Sequence, residues 1–581
     1  MKPITRHLRL FLSELVSLRV TDSRSSLVGT VIHTPVLAVI IVSCVWLLLV
    51  FIVNPVGEFP LNDDWSYARA VQSLVEHGHL ELSGFTSMPL IAQVLWGALF
   101  CLHFGFSFTA LRASTITLGL LGILASYWLF EETKANRSIA LLATMVLVTN
   151  PLYFYLSLTF MTDVPFFTFS MFAFIFFIRT LRTERHSDMV LGYAFSLAAI
   201  LTRQLGIVIP IAFLGAYLAK NRISFKSLVN TLVPTAAFAS LLFAFPAILR
   251  RTIGLPALYN RSFEPIVEAA PLGWFQIPPV FADRLLVELI YLGLFLLPVL
   301  ILLGLNTKQT SSRQMRRLSL LSGLILFVAI LGFLLWQGRT MPLIGNNIND
   351  LGLGPALLRD TYLLRLPHWP TAPKELWLIV TIAAVLGCVV LIRHTGVEVI
   401  QISRSLRQGT KVVRVDTSLF LVLAIAIYSI LIAITGFLDR YLIWLLPLLM
   451  CLVLAWKRLR IQVLSLSVFM IIISIYGFFA LGGTHDYLAW NRARWKAAMD
   501  LVEKDGISYR NIDGGFEFNG WYGYDAGYHI VPSKSLWWVD EDHYVIAFGP
   551  MPGYIEIRHY PFQRWLPPTE GRILVLQRVG E

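Results

Sequence analysis

The chain has 581 residues, of which 56% are hydrophobic, with a formal net charge of +12 and a mean hydropathy of +0.68. Together with many separate apolar runs of about 18–22 residues, this composition excludes a soluble protein and predicts an all-α polytopic membrane protein. The positive charge does not indicate nucleic-acid binding, because the lysines and arginines collect in short loops between apolar runs, as the positive-inside bias predicts.

Apolar runs separated by these loops predict about thirteen transmembrane helices. The predicted spans are 32–53, 108–130, 138–157, 164–180, 188–202, 204–219, 228–249, 283–304, 318–337, 375–392, 416–436, 438–456 and 461–481. The first span has full length and is preceded by several basic residues, which predicts a retained anchor with a cytoplasmic N-terminus. These features are typical of a multi-pass protein of the bacterial inner membrane.

The short apolar run 88–104 would reverse the orientation of every later basic loop if it crossed the membrane. We therefore predict a juxtamembrane or re-entrant helix there, within a first outer loop that covers 54–107. Two Pro- and Gly-rich loops, 250–282 and 338–374, fall on the same outer side and resemble lids over a cavity.

The chain changes character near residue 482, where charged, aromatic and turn-rich sequence replaces the apolar runs. The predicted domains are a transmembrane module, 1–481, and an extracytoplasmic α/β domain, 482–581, with strand-like segments at Tyr544–Phe548 and Ile573–Leu576. Aromatic side chains of this domain have two interpretations: they stack on sugar rings, or they belong to its core and to the membrane-interface belt.

A polar segment, residues 62–68, follows the first span and contains the adjacent carboxylates Asp63 and Asp64. It opens an amphipathic helix, with Tyr67 on the apolar face, that would hold both acids against the membrane. A positioned acid at this depth suits a substrate with a lipid tail.

Asp163 and Arg203 are the polar residues least expected beside long apolar runs. Asp163 precedes Val164-Pro165 and is either a plain helix N-cap or a group that orients a substrate hydroxyl or a metal. Arg203 interrupts the run 188–219 and requires an anion, which is Asp63 or Asp163 or, as we favour, a lipid phosphate held bidentately.

Three further residues are predicted to line the same outer cavity. Arg440 and Tyr441 follow Asp439 at the start of span 438–456, and Arg112 stands at the start of span 108–130. Counted together, Arg112, Arg203 and Arg440 exceed what the nearby carboxylates need for charge balance. This excess favours an anionic substrate.

The sequence provides little support for a metal or disulfide site. All four cysteines fall within apolar runs, which is typical of core residues. No His/Cys/Asp cluster has metal-ligand spacing, so a divalent cation bound by Asp63, Asp64 and Asp163 is compatible with the sequence but is not required.

Six short motifs, in sequence order, resemble those of the GT-C glycosyltransferase superfamily. The branch they most resemble contains the protein O-mannosyltransferases and the lipid A aminoarabinose transferases. The motifs are Asp63-Asp64-x-x-Tyr67-Ala68, Met88-Pro89-Leu90, Leu111-Arg112-Ala113-Ser114, Thr162-Asp163-x-Pro165, Leu201-Thr202-Arg203 and Asp439-Arg440-Tyr441-Leu442.

This resemblance implies a glycosyltransferase that moves a hexose or pentose from a polyprenyl-phosphate-linked donor on the extracytoplasmic face. It implies Asp63 as the catalytic base and places Arg203 near the lipid phosphate. From the residues themselves we expect Asp163 to assist Asp63, and we expect the substrate-binding residues to be Asp64, Tyr67, Arg112, Arg203, Arg440 and Tyr441. The acceptor is a hydroxyl of a glycan, a lipid or a protein, and in-line attack predicts inversion. The aminoarabinose transferases carry a lysine where Ser87-Met88 precede Pro89, so an arginine would hold the phosphate here.

Two other classes of function stay open at this point. A transporter or flippase would use intramembrane charges as a path for an ion or a lipid, although the chain lacks visible matched halves. An O-antigen-type polymerase or ligase also uses polyprenyl carriers, and it would be recognised by a carrier-linked glycan chain.

Overall fold

The computed structural model describes residues 35–221, 223–259, 277–304, 313–368, 371–408, 413–454, 461–525, 527–529, 534–535 and 537–580. The predicted cytoplasmic N-terminus and most of the proposed lid 250–282 lie outside these residues. Helices dominate the described chain, and a small sheet forms near its end. The predicted helical membrane fold with a C-terminal α/β domain is thus confirmed.

The helices follow one another along the chain with short connections. They are α1 (Pro35–Val53), α2 (Asp64–His77), α3 (Ile91–Phe104), α4 (Phe108–Glu132), α5 (Arg137–Val148), α6 (Pro151–Leu156), α7 (Asp163–Thr183), α8 (His186–Ile200), α9 (Val208–Asn221), α10 (Phe225–Thr252), α11 (Ile277–Gly304), α12 (Arg313–Trp336), α13 (Lys374–Arg407), α14 (Val413–Thr435), α15 (Leu445–Leu454), α16 (Val463–Glu503) and α17 (Phe516–Gly523). Single 3-10 turns at Gln204–Ile207 and Asp439–Trp444 lead into α9 and α15.

Ten helices of the described chain are long and apolar enough to cross a membrane. They correspond to ten of the predicted spans, and shorter helices α5, α8 and α15 occupy the other three. The predicted span 138–157 differs, because Asn150 and Pro151 break it: the Asn150 side chain accepts a hydrogen bond from the Tyr153 N–H and begins the separate helix α6.

The predicted juxtamembrane run 88–104 forms α3, which packs beside α2 and α4. Hydrogen bonds tie its start to the turn after α8: Gln204 Nε2 donates to the Ser87 carbonyl at 2.9 Å, and the Ala92 N–H donates to the Leu201 carbonyl at 3.4 Å. The first outer loop is thereby attached to the turn that carries Arg203.

Helices α11 and α13 cross with their backbones in direct contact. A Cβ atom added to Gly293 would lie 2.2 Å from the Cys388 nitrogen, and one added to Gly387 would lie 2.2 Å from the Gly293 carbonyl oxygen. Small residues permit such close approach between helices that have no hydrophobic driving force in lipid.

We expect Gly387→Leu to force α11 and α13 apart and to lower the free energy of unfolding by about 1–3 kcal/mol or more, as for an overpacked core. Thermal unfolding in detergent measures this loss. Gly396→Leu is the matched control, because a Cβ at Gly396 of the same helix meets no atom within 4 Å. Equal stability of the two variants would contradict the crossing.

A short hairpin in the loop 338–374 joins β1 (Ile348–Asn349) to β2 (Gly352–Leu353). The C-terminal domain contains the strands β3 (Ile512–Asp513), β4 (Tyr544–Ala547), β5 (Tyr554–Trp565) and β6 (Pro568–Arg578). They form one four-stranded sheet of order β3-β4-β6-β5. Helix α16 runs through the predicted boundary at 481/482 and packs on β5 and β6. The membrane module and the C-terminal domain therefore share one continuous helix.

Candidate active site

Four charged side chains that are far apart in sequence meet at one end of the helical bundle. Asp63 precedes α2, Asp163 begins α7, Arg203 lies in the turn after α8, and Arg440 lies in the 3-10 turn before α15. Arg203 Nη1 is 2.7 Å from Asp163 Oδ1, and Arg440 Nη2 is 3.3 Å from Asp63 Oδ2. The structure therefore brings together four of the predicted site residues, which we call the Asp63 cluster.

Asp163 and Arg203 form the most buried ion pair of this cluster. Their side chains are 1% and 3% exposed, and the Arg203 guanidinium also lies over the Tyr441 ring, 4.4 Å from its centroid. Asp163 is the first residue of α7, and Thr162 is the N-cap residue. The interpretation of Asp163 as a plain N-cap is therefore wrong, because its carboxylate contacts guanidinium groups. Of the anions considered for Arg203, Asp163 is the one it contacts.

Arg440 connects the two acids of the cluster. Besides its contact with Asp63, its Nε is 3.8 Å from Asp163 Oδ2. Its Nη1 is buried and has no hydrogen-bond partner among the described residues. A buried guanidinium nitrogen without an acceptor is costly, so this position is suited to an anion or another strong acceptor.

Asp63 is the most accessible member of the cluster, with 22% of its side chain exposed. Burial nonetheless raises the pKa of its carboxyl above the ordinary value, and the Arg440 guanidinium opposes this rise. Tyr67, one turn further along α2, is buried, and burial together with the Asp63 charge raises its pKa well above normal. A carboxylate with a raised pKa and solvent access has the properties of a general base.

Asp64 and Arg112 lie next to the cluster, but their side chains form hydrogen bonds with backbone groups. Asp64 accepts hydrogen bonds from the N–H groups of Leu61 at 2.5 Å and Phe160 at 3.1 Å. Burial raises the pKa of Asp64 to about 8, and the Arg112 charge opposes the rise. These bonds fix the turn that carries Asp63.

Arg112 donates to the backbone carbonyl groups of Pro55 at 3.0 Å and Gly57 at 2.6 Å, and also to that of Phe59. Its guanidinium stacks on the Phe59 ring. In this structure Arg112 shapes the loop after α1, and the predicted contact with substrate remains a prediction.

Asp439, which follows α14, has a partner that the sequence did not suggest. Its carboxylate accepts from Asn347 Nδ2 at 2.8 Å, from the Asn347 N–H at 3.0 Å and from the Ile348 N–H at 2.8 Å. This links the loop 338–374 to the residue next to Arg440. Asn347 lies in a polar, turn-forming stretch, and that pattern gave no sign of a long-range partner.

The charges of the Asp63 cluster balance. Arg203 and Arg440 face Asp63 and Asp163 within it, so the predicted excess of arginines is not found there. The carboxylates also do not fit a shared metal: Asp64 binds backbone N–H groups, Asp163 binds Arg203, and no group of three His, Cys, Asp or Glu side chains converges within the described ranges.

One segment of the chain is similar to a known protein family. Residues 88–249 match the sequence profile of the family described as dolichyl-phosphate-mannose-protein mannosyltransferase. That segment contains Arg112, Asp163 and Arg203. The matched segment covers under half of the chain, and over residues 88–249 it agrees with the resemblance drawn from the motifs.

No curated protein sequence matches the chain. Solved structures with similarity to it include the archaeal oligosaccharyltransferase AglB from Archaeoglobus fulgidus, in complex with an inhibitory peptide and a dolichol-phosphate: 15% identity, TM-score 0.41, covering 81% of this chain and 59% of that one. ArnT from Cupriavidus metallidurans bound to undecaprenyl phosphate has 13% identity and a TM-score of 0.40, covering 81% of this chain and 72% of that one. The chain thus spans little more than half the length of the archaeal enzyme.

Proposed function

We propose that this protein transfers a sugar from a polyprenyl-phosphate-linked donor to an acceptor hydroxyl. The observation that carries the proposal is an ion pair between Asp63, which is partly exposed, and Arg440, which is buried. The Nη1 atom of Arg440 has no hydrogen-bond acceptor among the described residues. Glycosyl transfer from a phosphate requires this combination of a base and a cation side by side.

In the proposed step, the acceptor hydroxyl oxygen attacks the anomeric carbon as its proton passes to Asp63. The bond between the anomeric carbon and the phosphate oxygen breaks, and the lipid phosphate leaves with the electron pair. Arg440 and Arg203 stabilise the charge that develops on this phosphate. Attack opposite the leaving group inverts the anomeric configuration. The proposed step requires no cofactor.

The structure also supports different roles for Asp163 and Asp63. Asp163 is 1% exposed and holds Arg203, so we propose that it positions the cationic side of the site. Asp63 is partly exposed and, among the described residues, forms an ion pair with Arg440, so it is the acid available to an acceptor. Tyr441, under the Arg203 guanidinium, completes this side of the site.

We propose that the Asp63 cluster and the C-terminal domain face the extracytoplasmic side, with the N-terminus in the cytoplasm. The opposite ends of the helices carry basic side chains, including Arg179 and Arg182, which both bind Glu132 at 2.7 Å, and Lys220. Basic residues prefer cytoplasmic loops, which supports this orientation.

The test is binding of the lipid carrier, measured by mass spectrometry of co-purified lipids and by titration with undecaprenyl phosphate as the probe. We expect Arg440→Gln to weaken binding by about 10–100-fold, because a charge-assisted hydrogen bond to phosphate is lost. The matched control is Arg339→Gln, since Arg339 pairs with the surface residue Asp283 at 2.6 Å.

Binding by the wild type that Arg440→Gln weakens and Arg339→Gln leaves intact would support the site. Absence of binding to the wild-type protein would contradict the carrier hypothesis and leave the transporter class to be tested. Release of a carrier-linked glycan chain, in place of single-sugar transfer, would identify a polymerase.

A further inference from the structure

The turn that carries Asp63 is held by the C-terminal domain through a buried hydrogen bond. The backbone N–H of Asn62 donates to Glu517 Oε1 at 3.0 Å, across a sequence separation of 455 residues. Glu517 Oε2 accepts from Arg494 Nη1 at 2.7 Å, and the two side chains are 0% and 1% exposed. Glu517 therefore joins α16, through Arg494, to the residue directly before Asp63.

Asn62 requires such a partner because of its backbone geometry. Its φ is +60°, in the left-handed region that non-glycine residues rarely adopt, and the residue is buried. A buried N–H without an acceptor costs free energy, so the Glu517 carboxylate stabilises a conformation that the chain would otherwise leave. This conformation sets the direction in which α2 and Asp63 emerge from the turn.

A second contact holds the other side of Asp63. Trp65 is fully buried, and its ring packs on Phe516 and Trp538 with centroid distances of 6.1 and 5.4 Å. Gly520 of α17 lies against the same indole: an added Cβ would be 2.5 Å from its Cε2 atom. Helix α17 thus contacts Asn62, directly before Asp63, through Glu517, and Trp65, two residues after Asp63, through Gly520.

We propose that the C-terminal domain is a brace, meaning that its contacts with Asn62 and Trp65 hold the turn that carries Asp63 in place. Glu517 is then a positioning residue for Asp63. This inference rests on the proposed function, because it assigns the brace a role in transfer. Asp63 lies between two braced residues, Asn62 and Trp65, while its own side chain stays accessible. A misplacement of about 1 Å at a reacting group lowers the rate by about 100-fold, so loss of the brace lowers kcat.

The first test variant is Glu517→Gln in the full-length protein. The amide offers one acceptor and one donor, whereas Asn62 and Arg494 both donate, so at least one of the two bonds is lost. The second variant, Gly520→Ala, leaves the Glu517 pair intact and displaces Trp65. The matched control is Asp542→Asn: Asp542 is also fully buried in the C-terminal domain, but its partners are Arg359, Arg578 and Tyr554.

Two measurements separate a brace from an ordinary structural ion pair. Hydrogen–deuterium exchange of peptides covering 58–70 is expected to accelerate in both test variants and to be unchanged in Asp542→Asn. In Glu517→Gln the expected factor is about tenfold, because one hydrogen bond is worth about this much. Turnover with dolichyl-phosphate mannose as the probe is expected to fall by about 100-fold in kcat, with a far smaller change in KM.

Unchanged exchange over 58–70 in both test variants would overturn the brace, whatever the turnover. Accelerated exchange with unchanged kcat would also overturn it, because the turn would then be held without consequence for transfer. If wild-type protein fails to turn over any lipid-linked donor, the proposed function fails, and the exchange data still decide whether the domain holds the turn.

Discussion

Replacing Asp63 with asparagine is expected to lower kcat of sugar transfer by about 10²–10⁴-fold, the range for loss of a general base. The asparagine has nearly the same shape, and the side chain is 22% exposed, so folding should be little affected. Arg440 keeps Asp163 as a partner at 3.8 Å. Transfer assays and thermal unfolding of the same preparations measure both effects.

The adjacent acid is the matched control for this prediction. Asp64→Asn removes a buried carboxylate that accepts from the Leu61 and Phe160 N–H groups, so stability and activity should fall together. Asp63→Asn should instead lose activity alone. Full activity in Asp63→Asn would exclude the base assignment and favour another acid of the cluster.

The pH dependence of kcat/KM provides an independent test of Asp63 as the base. The base form of Asp63 is the carboxylate, and burial raises its pKa, so kcat/KM should fall as pH decreases through a value above that of an ordinary aspartate. This acidic limb should be absent from any residual activity of Asp63→Asn. An acidic limb of the same position in the variant would show that a different group titrates.

Much of the fold was predictable because hydropathy is read directly from local sequence. Ten of the thirteen predicted spans are helices long enough to cross a membrane, and shorter helices occupy the other three. The break at Asn150-Pro151 has a local signal that the length of the apolar run concealed. The Asp63 cluster was also predictable in part, since a charge beside an apolar run must find a partner. Asp163, Arg203 and Arg440 were identified in this way.

The contacts that hold the site in place were not predictable. Glu517 lies 455 residues from Asn62, and Asp439 lies 92 residues from Asn347. No periodicity or motif records a hydrogen bond to a backbone N–H at such a separation. Arg112 shows the same limit: its sequence position matched a binding role, but which acceptors it meets depends on the path of the loop after α1.

Removing the carboxylate of Asp163 is expected to cost about 3–5 kcal/mol of stability in Asp163→Asn, because Arg203 is left buried with an uncompensated charge. Arg203 is 3% exposed, so water cannot replace the lost partner. Thermal or denaturant unfolding in detergent measures the loss. Asp283→Asn is the control at the same end of the bundle: its partner Arg339 is 31% exposed, and the expected change is about 0–1 kcal/mol.

The double variant Asp163→Asn/Arg203→Gln distinguishes the effect of this ion pair on stability from its effect on sugar transfer. Once both charges are gone the desolvation cost disappears, so stability should recover toward wild type even though the ion pair is absent. Transfer should not recover, because the leaving phosphate has lost a cation. Recovery of both would mean that the pair serves the fold alone and that Arg440 is sufficient for the phosphate. A double variant as unstable as Asp163→Asn would instead show that Asp163 is needed chiefly by Arg440.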